Sequence, residues 1–149
     1  YDAPDYGPTT VKTFEKSEHA APNRNRVFCM TITTDGRDQY LPTLWSAAID
    51  QAVSGKEGLH RLIVLSAGNV PDQPGENYPD SNHLESIQSP AQSWNALTVG
   101  AYTDLWELKE NGFEGWVPVA PKGRLSPTST TSVTWTDGGW PIKPEIVLE

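Results

Sequence analysis

The sequence has a single cysteine and no long apolar run, and each shortage excludes a class of protein. Cys29 alone cannot form an internal disulfide framework. Because it lies among apolar residues, we expect it to be a buried, unreactive thiol. No run of about 18 or more apolar residues occurs, so no transmembrane helix is predicted. The first residues do not have the pattern of a signal peptide, and the sequence indicates no particular compartment.

Patterns for metals, cofactors and nucleic acids are also missing. No pair of cysteines or histidines has metal-ligand spacing and no HExxH motif occurs, so neither a metal site nor a cofactor is predicted. The formal net charge is −8, without any basic run. Nucleic acid and anionic membrane surfaces are therefore poor candidates as partners.

A self-contained pair of nucleophile and base is not evident either. The three histidines, His19, His60 and His83, lie in polar surroundings, where a solvated surface position is the usual outcome. The sequence has no GxSxG nucleophile motif and no phosphate-binding glycine loop. The residues alone therefore do not identify a complete catalytic group.

What the sequence does contain is an alternation of helical and strand patterns over 149 residues, which is the size of one domain. Apolar spacing predicts helices over about 9–20 and 42–54, and strands over about 26–33, 61–66, 96–102 and 144–148. The strand residues are apolar on consecutive positions, which is typical of parallel strands buried on both faces. The predicted class is α/β, with a doubly wound and mostly parallel sheet.

The strand predicted over Leu62–Ser66 ends abruptly in Ala67, Gly68 and Asn69. In open α/β sheets, ligands bind beyond the carboxyl ends of parallel strands. Small residues there let another chain approach the backbone closely. The carboxamide of Asn69 therefore stands where a ligand-binding group is expected.

Four stretches together resemble the subtilisin-like serine protease family, the subtilases. They are Val27–Thr33, Leu62–Asn69, Ser89–Ala101 with its Pro-Ala and Thr-Val-Gly-Ala, and Trp140–Val147 with its Lys-Pro-Glu. Each is weak alone, but the four occur in the order of the family and at suitable separations. The resemblance implies a partial subtilisin-like fold and hydrolysis of peptide bonds by a Ser/His/Asp triad.

The motifs that carry the triad in this family are not found. The aspartate context Asp-Thr/Ser-Gly, the histidine context His-Gly-Thr and the nucleophile context Gly-Thr-Ser are all absent from the 149 residues. We therefore expect residues 1–149 to be an internal part of a peptidase domain, after the aspartate and histidine and before the serine. Such a part is expected to be inactive alone.

By the same resemblance, Asn69 is the donor of the oxyanion hole, which stabilises the negative oxygen of the tetrahedral intermediate. Thr31, Ile32 and Thr33 would offer backbone hydrogen bonds to an extended polypeptide substrate. Thr33 stands where the family usually has glycine.

The remaining implied residues belong to the first specificity pocket. Ser66, Ala67 and Gly68 would form the wall opposite Thr31–Thr33, and Pro90 and Ala91 would lie near the base. Their small side chains would leave room for a large apolar group of the substrate.

Two other interpretations remain open. The chain could be a non-catalytic peptide-binding or interaction module that keeps the cleft, or an unrelated α/β domain with chance matches. The unrelated domain would be excluded if residues 31–33 and 66–69 lay side by side. Because a partial parallel sheet leaves an apolar edge, we also expect self-association through exposed sheet edges.

Overall fold

The computed structural model describes residues 5–34, 41–55, 60–71, 75–135 and 140–149. These residues contain eight helices and strands. In chain order they are α1 (Tyr6–Ala20), β1 (Val27–Met30), α2 (Leu44–Ser54), β2 (Leu62–Ser66), α3 (Asp80–Leu84), β3 (Leu97–Thr103), β4 (Arg124–Leu125) and β5 (Ile146–Leu148).

The two helices and four strands predicted from the sequence are all present, with shifted ends. Helix α1 begins earlier, at Tyr6, because proline is tolerated in a first helical turn and Pro8 therefore does not prevent it. Strand β1 is shorter than predicted and ends at Met30. Strand β4 was not predicted, because two residues are too few to show a period.

The sheet is mostly parallel. Its parallel strands lie in the order β1-β2-β3-β5, and β4 pairs in the antiparallel sense with the end of β3. Gly100 lies where β3 meets the segment before β5, and a Cβ on it would be 2.6 Å from Cγ of Pro144. The predicted α/β class with a mostly parallel sheet is confirmed.

Helix α2 has local signals at both of its ends. The hydroxyl of Thr43 accepts a hydrogen bond of 3.1 Å from the backbone N–H of Ser46, which caps the first turn. Gly55 ends the helix with a φ of 67°, a conformation that favours glycine. No helix in the described ranges is long and apolar enough to span a bilayer.

Both long helices cover the same face of the sheet. Ile63 and Leu65 of β2 are fully buried there, in one cluster with Phe14 of α1 and with Trp45 and Ile49 of α2. The helices themselves pack closely, since a Cβ on Gly7 would meet Cβ of Ala48 at 2.8 Å. The core of the described residues therefore lies between this helix pair and one side of the sheet.

The opposite face of β1 and of the start of β2 is largely exposed in the part of the chain that the structure describes. Val27 is 61% exposed and its neighbour Leu62 is 52% exposed. The expectation that these strands are buried on both faces is wrong for this part of the chain. Strand side chains alternate between faces, and the two helices occupy only one of them. A doubly wound arrangement needs helices on the second face as well, and the described residues do not confirm that part of the prediction.

Cys29 lies on this uncovered face. It is exposed, so the prediction of a buried thiol is wrong. Its side chain shares a face with Val27, two residues earlier, and that face has no helix over it among the described residues. The apolar neighbours of Cys29 in the sequence indicated a strand. They did not indicate whether another element packs on each face of that strand.

We expect the chain on its own to form dimers or larger assemblies of itself through the outer edge of β1 and this apolar face. Light scattering in reducing buffer should show a mass that rises with concentration. A Val27→Lys/Leu62→Lys variant should weaken the rise, whereas Val117→Lys, at a valine that is also exposed, should not. A monomer mass over a wide concentration range would contradict this expectation.

Candidate functional site

The candidate site lies where β1 and β2 end side by side. Met30 is the register partner of Leu65, so the chain that leaves β1 and the chain that leaves β2 emerge next to each other. The structure therefore brings residues 31–33 close to residues 66–69. This neighbourhood is the arrangement that the subtilase resemblance implies for the two stretches.

A side chain that the sequence did not single out, Gln88, joins these two ends. Its Oε1 accepts hydrogen bonds from the Thr33 hydroxyl at 2.7 Å and from the Asn69 backbone N–H at 3.3 Å. Its Nε2 donates to the backbone carbonyl of Asn69 at 3.0 Å. One carboxamide therefore fixes Thr33 and Asn69 relative to each other. Its only sequence signal is its place just before the Ser89–Ala101 stretch.

Gly68 allows this arrangement. Its φ is 102°, and a Cβ on it would lie 2.5 Å from Oε1 and 2.7 Å from Cβ of Gln88. A larger residue would be strained in its backbone and would also push Gln88 away. Glycine is therefore needed here for both conformation and space.

The segment 126–131 also holds the backbone around Asn69. Asn69 forms an isolated antiparallel bridge with Ser129, and the N–H of Val70 donates to the carbonyl of Thr128 at 2.8 Å. The hydroxyl of Thr130 donates to the carbonyl of Ala67 at 2.7 Å. The chain around Asn69 is thus fixed on both sides.

A buried asparagine holds that segment in place. Asn82 is fully buried, and its Nδ2 donates to the carbonyls of Ser126 and Ser129 at 2.8 and 2.7 Å. The hydroxyl of Thr131 donates to the carbonyl of Asn82 at 2.9 Å. Buried polar groups that are bonded in this way are costly to rearrange. Asn82 of α3 therefore fixes the position of the segment 126–131.

The side chain of Asn69 itself is exposed, although its backbone is held on both sides. It therefore combines a fixed backbone with a solvent-facing carboxamide at the carboxyl edge of the sheet. Chemically, an N–H donor in this position can stabilise negative charge on an oxygen placed beside it.

The other predicted residues divide into exposed and buried groups. Thr31 and Ile32 are exposed, and Ile32 reaches 69%. Ala67 and Ala91 are almost completely buried, and Pro90, which follows a cis peptide bond, is buried as well. The buried members can shape the site from beneath, whereas the exposed members can touch a ligand directly.

The backbone beyond Thr33 is tied to the Pro90 segment. The N–H of Thr34 donates to the carbonyl of Ser89 at 3.0 Å, and the hydroxyls of Thr43 and Ser89 are 2.6 Å apart. The start of α2 therefore also contributes to holding the site together.

The three histidines take no part in this site. All are exposed, as expected, and within the described ranges none is hydrogen-bonded to a serine hydroxyl. The described residues also contain no cluster of three or more His, Cys, Asp or Glu side chains that could hold a metal ion.

Comparison with known proteins gives a match at the level of the family. The family model described as the Subtilase family matches residues 5–149. No curated protein and no solved structure is significantly similar to the chain.

Proposed function

The chain belongs to the subtilase family of serine proteases, and from this premise we propose that it forms part of a serine endopeptidase in which the Asn69 carboxamide is the oxyanion-hole donor. The observation that carries the proposal is the combination of an exposed Asn69 with a backbone that Gln88 bonds at both its N–H and its carbonyl, next to Val70, whose N–H donates to Thr128. The peptide bond of a polypeptide is the substrate.

The proposed chemistry follows from where charge develops. Attack of a serine hydroxyl on the scissile carbonyl gives a tetrahedral intermediate with a negative oxygen. An N–H donor that is already aimed at that oxygen stabilises the transition state more than the substrate. Since Gln88 bonds the backbone of Asn69, only the two side-chain torsions of Asn69 have to adjust when the charge forms.

The substrate cleft in this proposal runs between the two strand ends. Thr31, Ile32 and Thr33 bind the extended substrate through their backbone, and the exposed Ile32 adds an apolar contact. Ser66, Ala67 and Gly68 form the opposite wall, and the buried Pro90 and Ala91 support it from below.

Gln88 narrows the proposed pocket between these walls. Its carboxamide lies between Thr33 and Gly68. In the proposal it therefore occupies space that a large apolar side chain of the substrate would need. A half-buried amide that already has three hydrogen bonds is costly to displace. The pocket in this chain therefore favours a small substrate side chain before the scissile bond.

Replacing Gln88 should change this preference. In the active peptidase, Gln88→Ala should raise kcat/KM for a phenylalanine substrate relative to an alanine substrate by roughly 10-fold or more, because the pocket gains volume. Gln51→Ala, at an exposed glutamine on α2, is the matched control and should leave the ratio unchanged. If Gln88→Ala and wild type give the same ratio, Gln88 does not line the pocket.

The proposal also assigns the triad to polypeptide outside these 149 residues, since none of the three triad motifs occurs within them. The purified chain alone should therefore not cleave casein. A longer polypeptide that adds the triad motifs should cleave it, and a serine-directed phosphonate should stop the cleavage.

Two results would contradict the proposal. One is cleavage of casein by the isolated chain that Asn69→Ala abolishes. The other is a longer polypeptide that binds peptides and lacks the triad motifs, which would identify the chain as part of a non-catalytic binding module.

A further inference from the structure

A cavity of about 460 Å³ lies at the other end of the sheet from Asn69, between the end of α1, the loop before β1 and the start of β2. Arg61 precedes β2 and Ser66 ends it, so the strand alone separates the two places by roughly 15 Å. The cavity is therefore distinct from the candidate catalytic site.

The lining of this cavity is unusually cationic for this chain. The chain has a net charge of −8 and only five arginines, yet three of them, Arg24, Arg26 and Arg61, line this one cavity. His19 and His60 line it as well. At physiological salt, charges more than about 8 Å away are largely screened, so the local cations outweigh the distant acids.

The one carboxylate among the described lining residues is already neutralised. Glu18 receives two hydrogen bonds from Arg61, at 2.7 and 2.9 Å, and the remaining end of Arg61 donates to the carbonyl of Ala52 at 2.9 Å. These hydrogen bonds hold the pKa of Glu18 below its ordinary value, so the pair is ionised and neutral overall at physiological pH. Arg61 is thus a structural cation, and it is not available to a ligand.

The other two arginines that line the cavity are Arg24 and Arg26. Arg26 donates to the carbonyls of Ala21 and Arg24 at 2.6 and 2.8 Å, which fixes its guanidinium but leaves three of its five N–H donors. No carboxylate of the described residues is within ion-pair distance of either Arg24 or Arg26. The cavity therefore holds two guanidinium groups that form no ion pair with a described carboxylate, although Glu18 lies near enough to Arg26 to interact with its charge.

The floor of the cavity is apolar. Phe28 of β1 lines it, and its ring packs against that of Phe14, with centroids 4.3 Å apart. Pro22 adds a second apolar surface. A ligand that fits this lining has a strongly anionic end and a flat apolar body.

We infer that this cavity is a binding site for a small phosphate monoester with an aromatic or apolar body. Two guanidinium groups match the two negative charges of a phosphate monoester and the geometry of its oxygens. The body of the ester lies against Phe28 and Pro22.

The direct test is a calorimetric titration of the folded chain with phenyl phosphate at pH 7.5 and moderate salt, and the same titration with inorganic phosphate. Phenyl phosphate should bind, and it should bind at least fivefold more tightly than inorganic phosphate. Equal affinities would overturn the assignment of an ester with an apolar body. If neither anion produces heat in the titration or shifts an amide resonance of the chain, the cavity is not a binding site for these anions.

Variants locate the site. Arg24→Gln/Arg26→Gln should weaken phenyl phosphate binding at least 10-fold, whereas Arg124→Gln, at an exposed arginine of β4, should change it less than twofold. If the double variant does not fold, Arg24→Gln alone serves, because the structure assigns its side chain no bond to a described residue. Amide resonances of wild type should shift at residues 19–28 and 60–61, and shifts confined to other residues would overturn the proposal.

Discussion

Asn69→Ala in the active peptidase should lower kcat about 100- to 1,000-fold and leave KM nearly unchanged. This range is the one established by mutagenesis for the oxyanion-hole asparagine of subtilisin, a member of the same family. The physical reason is that the donor is used only when the carbonyl oxygen becomes negative. In the proposed cleft, binding of the uncharged substrate would rely instead on the backbone of residues 31–33.

Steady-state kinetics with a chromogenic peptide measures this effect. Asn111→Ala, at an exposed asparagine far along the chain, controls for the loss of an amide and should leave both constants unchanged. A loss of activity that appears mainly as a higher KM would mean that Asn69 binds the substrate and does not stabilise its transition state.

The second large effect concerns a buried ion pair in front of β5. The side chain of Lys143 is completely buried, and its Nζ contacts the carboxylate of Glu145 and donates to the carbonyl of Ala96 at 3.0 Å. The other oxygen of Glu145 accepts from the N–H of Thr98 at 2.7 Å. The pair therefore fastens β5 to β3. The side chain of Glu145 is 32% exposed and reaches water, whereas the buried ammonium of Lys143 has Glu145 as its countercharge.

This asymmetry predicts the order of the effects. Glu145→Gln should cost about 3 kcal/mol of unfolding free energy, because it leaves a fully buried ammonium without its countercharge. Lys143→Met should cost less, roughly 1–2 kcal/mol, because the remaining carboxylate reaches water. The double variant should lose less than the sum of the two.

Urea unfolding at pH 7 measures these differences. Lys122→Met is the control, since Lys122 forms an exposed pair with Asp104 and should contribute well under about 1 kcal/mol. A greater loss for Lys143→Met than for Glu145→Gln would show that the buried ammonium does not depend on its partner.

Local signals made much of the fold predictable. Helix α2 has a threonine cap, an apolar stripe and a terminal glycine within 13 residues, and its structure matches the prediction closely. The strand before Asn69 could be predicted because five apolar or small residues are followed by Ala-Gly-Asn. Both features depend on neighbours in the sequence.

Features that depend on distant contacts were not predictable. Gln88 acts on Asn69, 19 residues away, and on Thr33, 55 residues away, and no spacing rule connects them. The apolar residues of β1 and β2 indicated strands that need cover on both faces. They could not show that the described residues cover only one, which is why Cys29 was expected to be buried.

The most direct test of the central claim is the inhibition constant of a peptide boronic acid, which forms a tetrahedral adduct with a serine nucleophile, measured on wild type and on Asn69→Ala. If Asn69 stabilises the tetrahedral oxygen, the inhibition constant should rise by roughly the factor by which kcat/KM falls, about 100-fold or more, with KM within about twofold. An inhibition constant that stays the same while kcat falls would contradict the assignment of Asn69 to the oxyanion hole.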